Sequence, residues 1–229
     1  MIIGILNWFD EEPAWLAAAT ASMCRAGMSH IVAVDGAYLA FPDAIGMPRS
    51  APGQHAAIRE VCDAMQIGHT IHAPTEPFAG ECEKRSYAFT LAETLATAGD
   101  WFFLMDADQV ITNPGDLAAA LEQAEEDVAT AMFYERGVGQ ELNGAPGIFP
   151  VRCIFRAGLD LRVTGRHYDY LTGDGRNLWG DAPYEPACAT GCHVEHRTRL
   201  RSLARKAAQE AYYARRDELG LEQPPPVLA

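Results

Sequence analysis

Two aspartates one residue apart, Asp106 and Asp108, follow the apolar run Trp101-Phe102-Phe103-Leu104-Met105. Carboxylates at this spacing on a strand exit can both turn toward one cleft as the chain leaves the sheet. Hard divalent cations favour carboxylate oxygens, and Mg²⁺ or Mn²⁺ combines one or two of them with substrate phosphates. An ion held this way neutralises a diphosphate and stabilises it as a leaving group. Aspartate is also frequent in turns, where it bonds nearby backbone amides. The pair therefore takes its meaning from what surrounds it.

Other residue types add to the inventory. Asp35 closes a second apolar run, Ile31-Val32-Ala33-Val34, and Lys84-Arg85 interrupts a helix-patterned segment. Cys188, Cys192, His193 and His196 crowd together late in the chain. Structural zinc sites usually leave about a dozen residues between their ligand pairs. This cluster has no such room, so zinc is not expected, and His193 and His196 are rival ligands for another metal. His30, His55 and His69 are expected to be structural or solvent-facing, and His72 to sit in the core or at a cleft edge. Between Arg197 and Arg216 seven basic residues face Glu210 alone. Arg197, Arg201 and Arg205 recur every four residues and share one helical face. That face either packs and is solvated, or meets phosphates of a donor or a polyanionic acceptor.

The elements that must position these groups follow from the apolar patterning. Ile2 to Leu6, Ile31 to Val34, Thr70 to Ala73 and Trp101 to Met105 read as buried strands. Helices are expected from Pro13 to about Arg25, from Gln54 to Met65 and from Glu81 to Ala98, with Pro13 at a first turn and Gly27 and Gly99 as stops. Repeated β-α-β order implies an α/β fold whose mostly parallel, doubly wound sheet is flanked by helices. In such sheets ligands collect beyond the carboxyl ends of the strands, where Asp35 and Asp106 stand. The second half is less regular: an acidic helix from Asp116 to Glu126, strands at Val128 to Phe133 and Val151 to Phe155, a Gly-rich stretch from Gly137 to Gly147, and a C-terminal basic helix.

The chain has 229 residues, 48% hydrophobic and 21% charged, which suits one domain over residues 1–220 with a Pro-rich tail over 221–229. Its net charge of −13 disfavours broad attraction to nucleic acid. No apolar stretch approaches the roughly 20 residues of a transmembrane helix, and the opening residues lack a basic leader. A cytoplasmic protein with six unpaired thiols is the expectation.

Three of these segments together resemble the GT-A glycosyltransferases of family 2. They are Val32-Ala33-Val34-Asp35-Gly36, Glu83-Lys84-Arg85-Ser86-Tyr87-Ala88, and Gly99-Asp100 through Asp108. More faintly, Val151 to Arg156, Gly158, Gly165, His167 and His196-Arg197 are similar to one branch of that family. The resemblance implies a GT-A, Rossmann-like fold with a nucleotide-binding half (1–110) and an acceptor-side half (111–220). It implies a metal-dependent enzyme that moves a sugar from a nucleotide-sugar, UDP-linked by the family's habit, to an acceptor hydroxyl with inversion. Asp35 would accept a hydrogen bond from the base, with Asn7 and Tyr38 in the same pocket. Arg85 would face the diphosphate or base, with Lys84 second to it because only one of the pair points into the cleft, and Asp106 would contact the ribose or metal. Asp108 would be the principal ligand of Mn²⁺ or Mg²⁺, completed by His196. Inverting members use a carboxylate base. The family's His-Glu pair reads His167-Tyr168-Asp169 here, so the candidates are Asp169, then His167, then Asp181. The acceptor could be a glycan, protein, lipid head group or nucleic-acid base, the last not favoured by charge. Nucleotidyl transfer is the alternative chemistry, although the residues after the first strand lack a Gly-rich phosphate loop. Non-catalytic nucleotide-sugar binding is the third reading.

Overall fold

The computed structural model describes residues 1–135, 147–165, 169–179 and 186–218. His167, Asp181, most of the Gly137–Gly147 stretch and the Pro-rich tail lie outside them.

The first half is built as its patterning dictates. Strands β1 (Ile2–Asn7), β2 (His30–Val34), β3 (Gly68–His72) and β4 (Trp101–Asp106) are separated by helices α1 (Pro13–Arg25), α2 (Pro52–Met65) and α3 (Glu81–Glu93). Proline opens both α1 and α2, where its missing N–H costs nothing. α3 stops at Glu93, five residues short of the expected Ala98. There the backbone N–H and hydroxyl of Thr97 both donate to Asp100, turning the chain out of the helix before β4.

The second half contributes β5 (Gln109–Asn113), α4 (Leu117–Gln123), β6 (Val128–Glu135), β7 (Ile148–Arg156), β8 (Arg162–Thr164), β9 (Asp169–Leu171), β10 (Asn177–Trp179), β11 (Cys188–His196) and α5 (Leu203–Glu218). One mostly parallel, curled sheet takes strands from both halves in the order β3-β2-β1-β4-β7-β6-β11-β5. β1 pairs in parallel with β2 and β4, and β6 with β11, whereas β7 runs antiparallel to both neighbours. A small second sheet holds β8, β9 and β10.

Strand parity sorts the core into two layers. On β4, Trp101, Phe103 and Met105 pack with α1, α2 and α4, while Phe102 and Leu104 pack with Ala88, Phe89 and Ala92 of α3. β1 divides the same way, with Ile2 and Leu6 on one face and Ile3 and Ile5 on the α3 face. Burying this much apolar area, at about 25 cal/mol per Å², is the main force fixing the strand exits. No helix among the described residues is long and apolar enough to cross a membrane. The six cysteines carry free thiols.

Candidate functional site

The period of two that organises the core also aims the residues at the strand exits. Asn7 continues the Ile3–Ile5 face of β1, and Asp106 continues the Phe102–Leu104 face of β4; the two are register partners. Both border a cavity of about 310 Å³ at the carboxyl ends of β1 and β4, a size suited to a small-molecule site. Asn7 is almost completely buried, yet among the described residues neither its Nδ2 nor its Oδ1 has a partner, and Trp8 Nε1 beside it is in the same condition. Buried polar groups are normally hydrogen-bonded, so these atoms mark a surface shaped to receive polar groups of a ligand.

α3 supplies the next wall. Glu81 and Arg85 lie one turn apart and face the cavity. Arg85 bonds Glu81 at 2.8 Å and both oxygens of Asp106, at 2.9 and 3.1 Å. Burial raises the pKa of Asp106; the Arg85 charge opposes that shift, and the charges of Asp108 and Glu81 reinforce it.

Asp108 is assembled from farther away. β5 pairs antiparallel with β11, setting His196 opposite Gln109, and the Arg197 amide donates to the Asp108 carbonyl at 2.8 Å. His196 Nε2 thereby comes within 3.3 Å of Asp108 Oδ2, while its Nδ1 meets Glu135 at 3.2 Å. The Thr198 hydroxyl donates to the same Oδ2, and Arg201 stands 3.5 Å from it. Burial pushes the Asp108 carboxyl up, but the His196 hydrogen bond, the Arg201 and His196 charges and the Thr198 hydroxyl hold it well below the usual range. Burial pulls His196 down, and the hydrogen bond and charge of Asp108, aided by Glu135 and Asp106, raise it above its ordinary 6.5. His193, one residue out of phase with His196, does not border the cavity.

The donor types around Asp108 suit a hard or borderline divalent cation: two carboxylates and an imidazole. Their present arrangement is occupied by protein partners, Asp106 by Arg85 and Asp108 Oδ2 by Thr198, His196 and Arg201. Among the described residues no group of three His, Cys, Asp or Glu side chains is gathered as a ready-made metal cage. The set fits an ion that arrives with its own phosphate oxygens, as Mg²⁺ and Mn²⁺ commonly do.

Asp35 and Lys84 do not border the cavity. Asp35 follows Val34 of the α3 face, so parity sends it to the opposite side, toward α2. It has no exposed surface. Its Oδ1 accepts from the Gly36 amide and the Ser50 hydroxyl, and its Oδ2 from the Ser50 amide and His55 Nε2, at 2.6 to 2.7 Å. With both oxygens hydrogen-bonded within the protein, Asp35 pins the loop after β2. Lys84 also turns inward, because it shares a helical stripe with core residue Ala88. Its Nζ donates to the carbonyls of Trp8 and Gly36, and burial brings it down to about 7 against the pull of Asp35, Asp106 and Glu81. Tyr38 does border the cavity. Asp169 borders neither this cavity nor a second one of about 310 Å³ on the far side of the Arg85–Asp106 pair. Its Oδ1 instead accepts from Asn177.

Further lining comes from the loop after β1, which the sequence did not single out, and from the basic C-terminal segment, whose arginines it offered as one possible phosphate contact. Phe9 and Glu11 border the cavity, as do Arg201, Arg205, Gln209, Tyr212 and Tyr213. The buried Tyr212 ring stacks on Phe41 at 5.6 Å and tilts against Tyr38 at 5.1 Å, laying α5 along one side of the cavity. The only sequence signal was the four-residue recurrence of the arginines, which a solvated helix would also show.

No protein-family model matches this chain, and no curated protein matches it. Any functional assignment therefore rests on the residues themselves.

Proposed function

We propose that the protein is a glycosyltransferase of the GT-A kind, similar to family 2, that moves a sugar from a nucleoside diphosphate to an acceptor hydroxyl with inversion. The observation that carries this reading is the convergence of Asp106, Asp108 and His196 with the unpartnered Asn7 amide on one cavity at the strand exits. The Asn7 amide presents a donor beside an acceptor, a pattern that complements the edge of a nucleobase, and Phe9, Tyr38 and Tyr212 offer aromatic faces nearby. Asp106, Asp108 and His196 would hold a Mn²⁺ or Mg²⁺ ion, whose charge neutralises the departing diphosphate. In the transfer, the bond between the anomeric carbon and the phosphate oxygen breaks as the acceptor oxygen bonds that carbon. The acceptor proton passes to a base. Asp169, His167 and Asp181 are the candidates for that base; Asp169 would have to approach from outside the cavity it now misses. Its place outside the cavity is the observation favouring the non-catalytic reading.

Thermal shifts with a panel of nucleoside diphosphates and nucleotide-sugars, with and without Mn²⁺, test the proposal. Ligand binding to the folded state raises its stability with the logarithm of concentration over Kd. One nucleotide stabilising the chain only with the metal is the expected result. Stabilisation without turnover of any nucleotide-sugar would select the binding protein instead, and no shift at all would remove both readings.

A further inference from the structure

Arg201 and Arg205 reach the cavity from the segment leading into α5 and from its first turn, and a single carboxylate lies between them. Glu11 Oε2 is 2.9 Å from Arg201 and 3.9 Å from Arg205, and all three side chains are largely buried. Neither Arg201 Nε nor Arg205 Nε has an acceptor among the described residues. Arg205 lies over the Phe41 ring at 5.2 Å, and one terminal nitrogen donates to the Phe9 carbonyl. Stacking holds a guanidinium by its face and leaves its in-plane N–H edge available to a planar or tetrahedral anion. Arg201 Nη1 also donates to Gln209 Oε1 at 3.5 Å, yet among the described residues the two buried forks still hold more donors than are used.

The carboxylate itself is held in place. The Asp10 amide donates to Ser50 Oγ and the Glu11 amide to Gln54 Oε1. Asp10 adopts a left-handed φ of 48°, a conformation uncommon for a non-glycine residue. Ser50 is the residue that Asp35 anchors, so the loop after β2 fixes the loop after β1 and delivers Glu11 to the arginines.

We propose that Arg201 and Arg205 form an anion subsite for the diphosphate of the donor, and that Glu11 occupies it in the empty protein as an internal surrogate. The ligand class rests on the glycosyl-transfer reading; the anion subsite does not. An entering phosphate takes N–H donors from both arginines and loosens their pairing with Glu11. It also draws Arg201 away from Asp108, freeing that carboxylate on the side where it now meets a cation.

The test is calorimetric titration of the full chain with inorganic pyrophosphate in EDTA. Arg205→Gln and Arg201→Gln should each weaken pyrophosphate about tenfold or more, as expected for loss of a charge-assisted contact. Arg205→Lys, which keeps the charge and loses the fork, should fall between. Glu11→Gln should strengthen binding several-fold, a gain that misfolding cannot imitate. Wild-type protein that ignores pyrophosphate, or glutamine variants of both arginines that bind it unchanged, overturns the subsite, as does weaker binding by Glu11→Gln. Arginine-dependent pyrophosphate binding without turnover of any nucleotide-sugar keeps the subsite and removes the transferase. Turnover with KM unchanged in both arginine variants does the reverse.

Discussion

Asp35 and Asp108 both stand just beyond the carboxyl end of a strand, and both are almost fully buried, at 0% and 3% exposure. Their partners differ in kind. Asp35 is bonded by two backbone amides, a hydroxyl and a histidine, all from its own loop and the following helix. Asp108 is bonded by side chains that arrive from about ninety residues later in the chain, those of His196, Thr198 and Arg201. Backbone donors are fixed with the fold and cannot be lent to a ligand. Side-chain donors, especially long cationic ones, can be rearranged. The same residue type at the same place in two β-α units thus serves as a loop anchor in one and lines the cavity in the other.

Substitutions can break this comparison. Asp35→Asn should destabilise the chain most, by about 3 to 5 kcal/mol, because it removes a buried charge whose partners stay behind. Urea unfolding midpoints measure this, and a loss below about 1 kcal/mol would show that the loop does not depend on Asp35. Asp108→Asn should destabilise the chain as well, because His196 and Arg201 stay behind without their carboxylate, and should in addition weaken Mn²⁺-dependent nucleotide binding about 100-fold, the scale of losing an ionised contact. Equal nucleotide affinity in the two proteins would place the metal elsewhere.

A third substitution sharpens the contrast. Asn7→Ala should change apo stability by less than about 1 kcal/mol, because the amide it removes has no partner among the described residues. Nucleotide affinity should fall about tenfold, the value of one or two hydrogen bonds. A large loss of stability with unchanged affinity would make Asn7 a structural residue like Asp35.

The smallest effect is on pH dependence. His196 has a folded pKa above its unfolded value of about 6.5. Its pairing with Asp108 therefore contributes fully below about pH 6.5, and the contribution is lost as pH rises through the elevated folded value. Asp108, held low, acts at the acid end: its contribution is present above about pH 4 and declines as pH falls below that. Melting temperatures of the metal-free chain should fall modestly from pH 6 to pH 8, and His196→Gln should flatten that slope. An unchanged slope in the variant would assign it to another group.

Apolar patterning was enough to define the strands of the first half, their alternation with helices, and the placing of Asp106 and Asp108 at an exit. Those features depend on periodicity and on neighbours a few residues apart. Parity counted from Val34 already held the orientation of Asp35, although motif resemblance pointed it toward the ligand, and helical phase with Ala88 held that of Lys84. Only the tertiary structure decided which late residues meet Asp108. The antiparallel register of β5 on β11 selects His196 over His193, and the stacking of Tyr212 on Phe41 brings Arg205 into the cavity. Contacts between residues this far apart in the chain are set by sheet register and by the packing of distant faces, and local spacing carries no record of either.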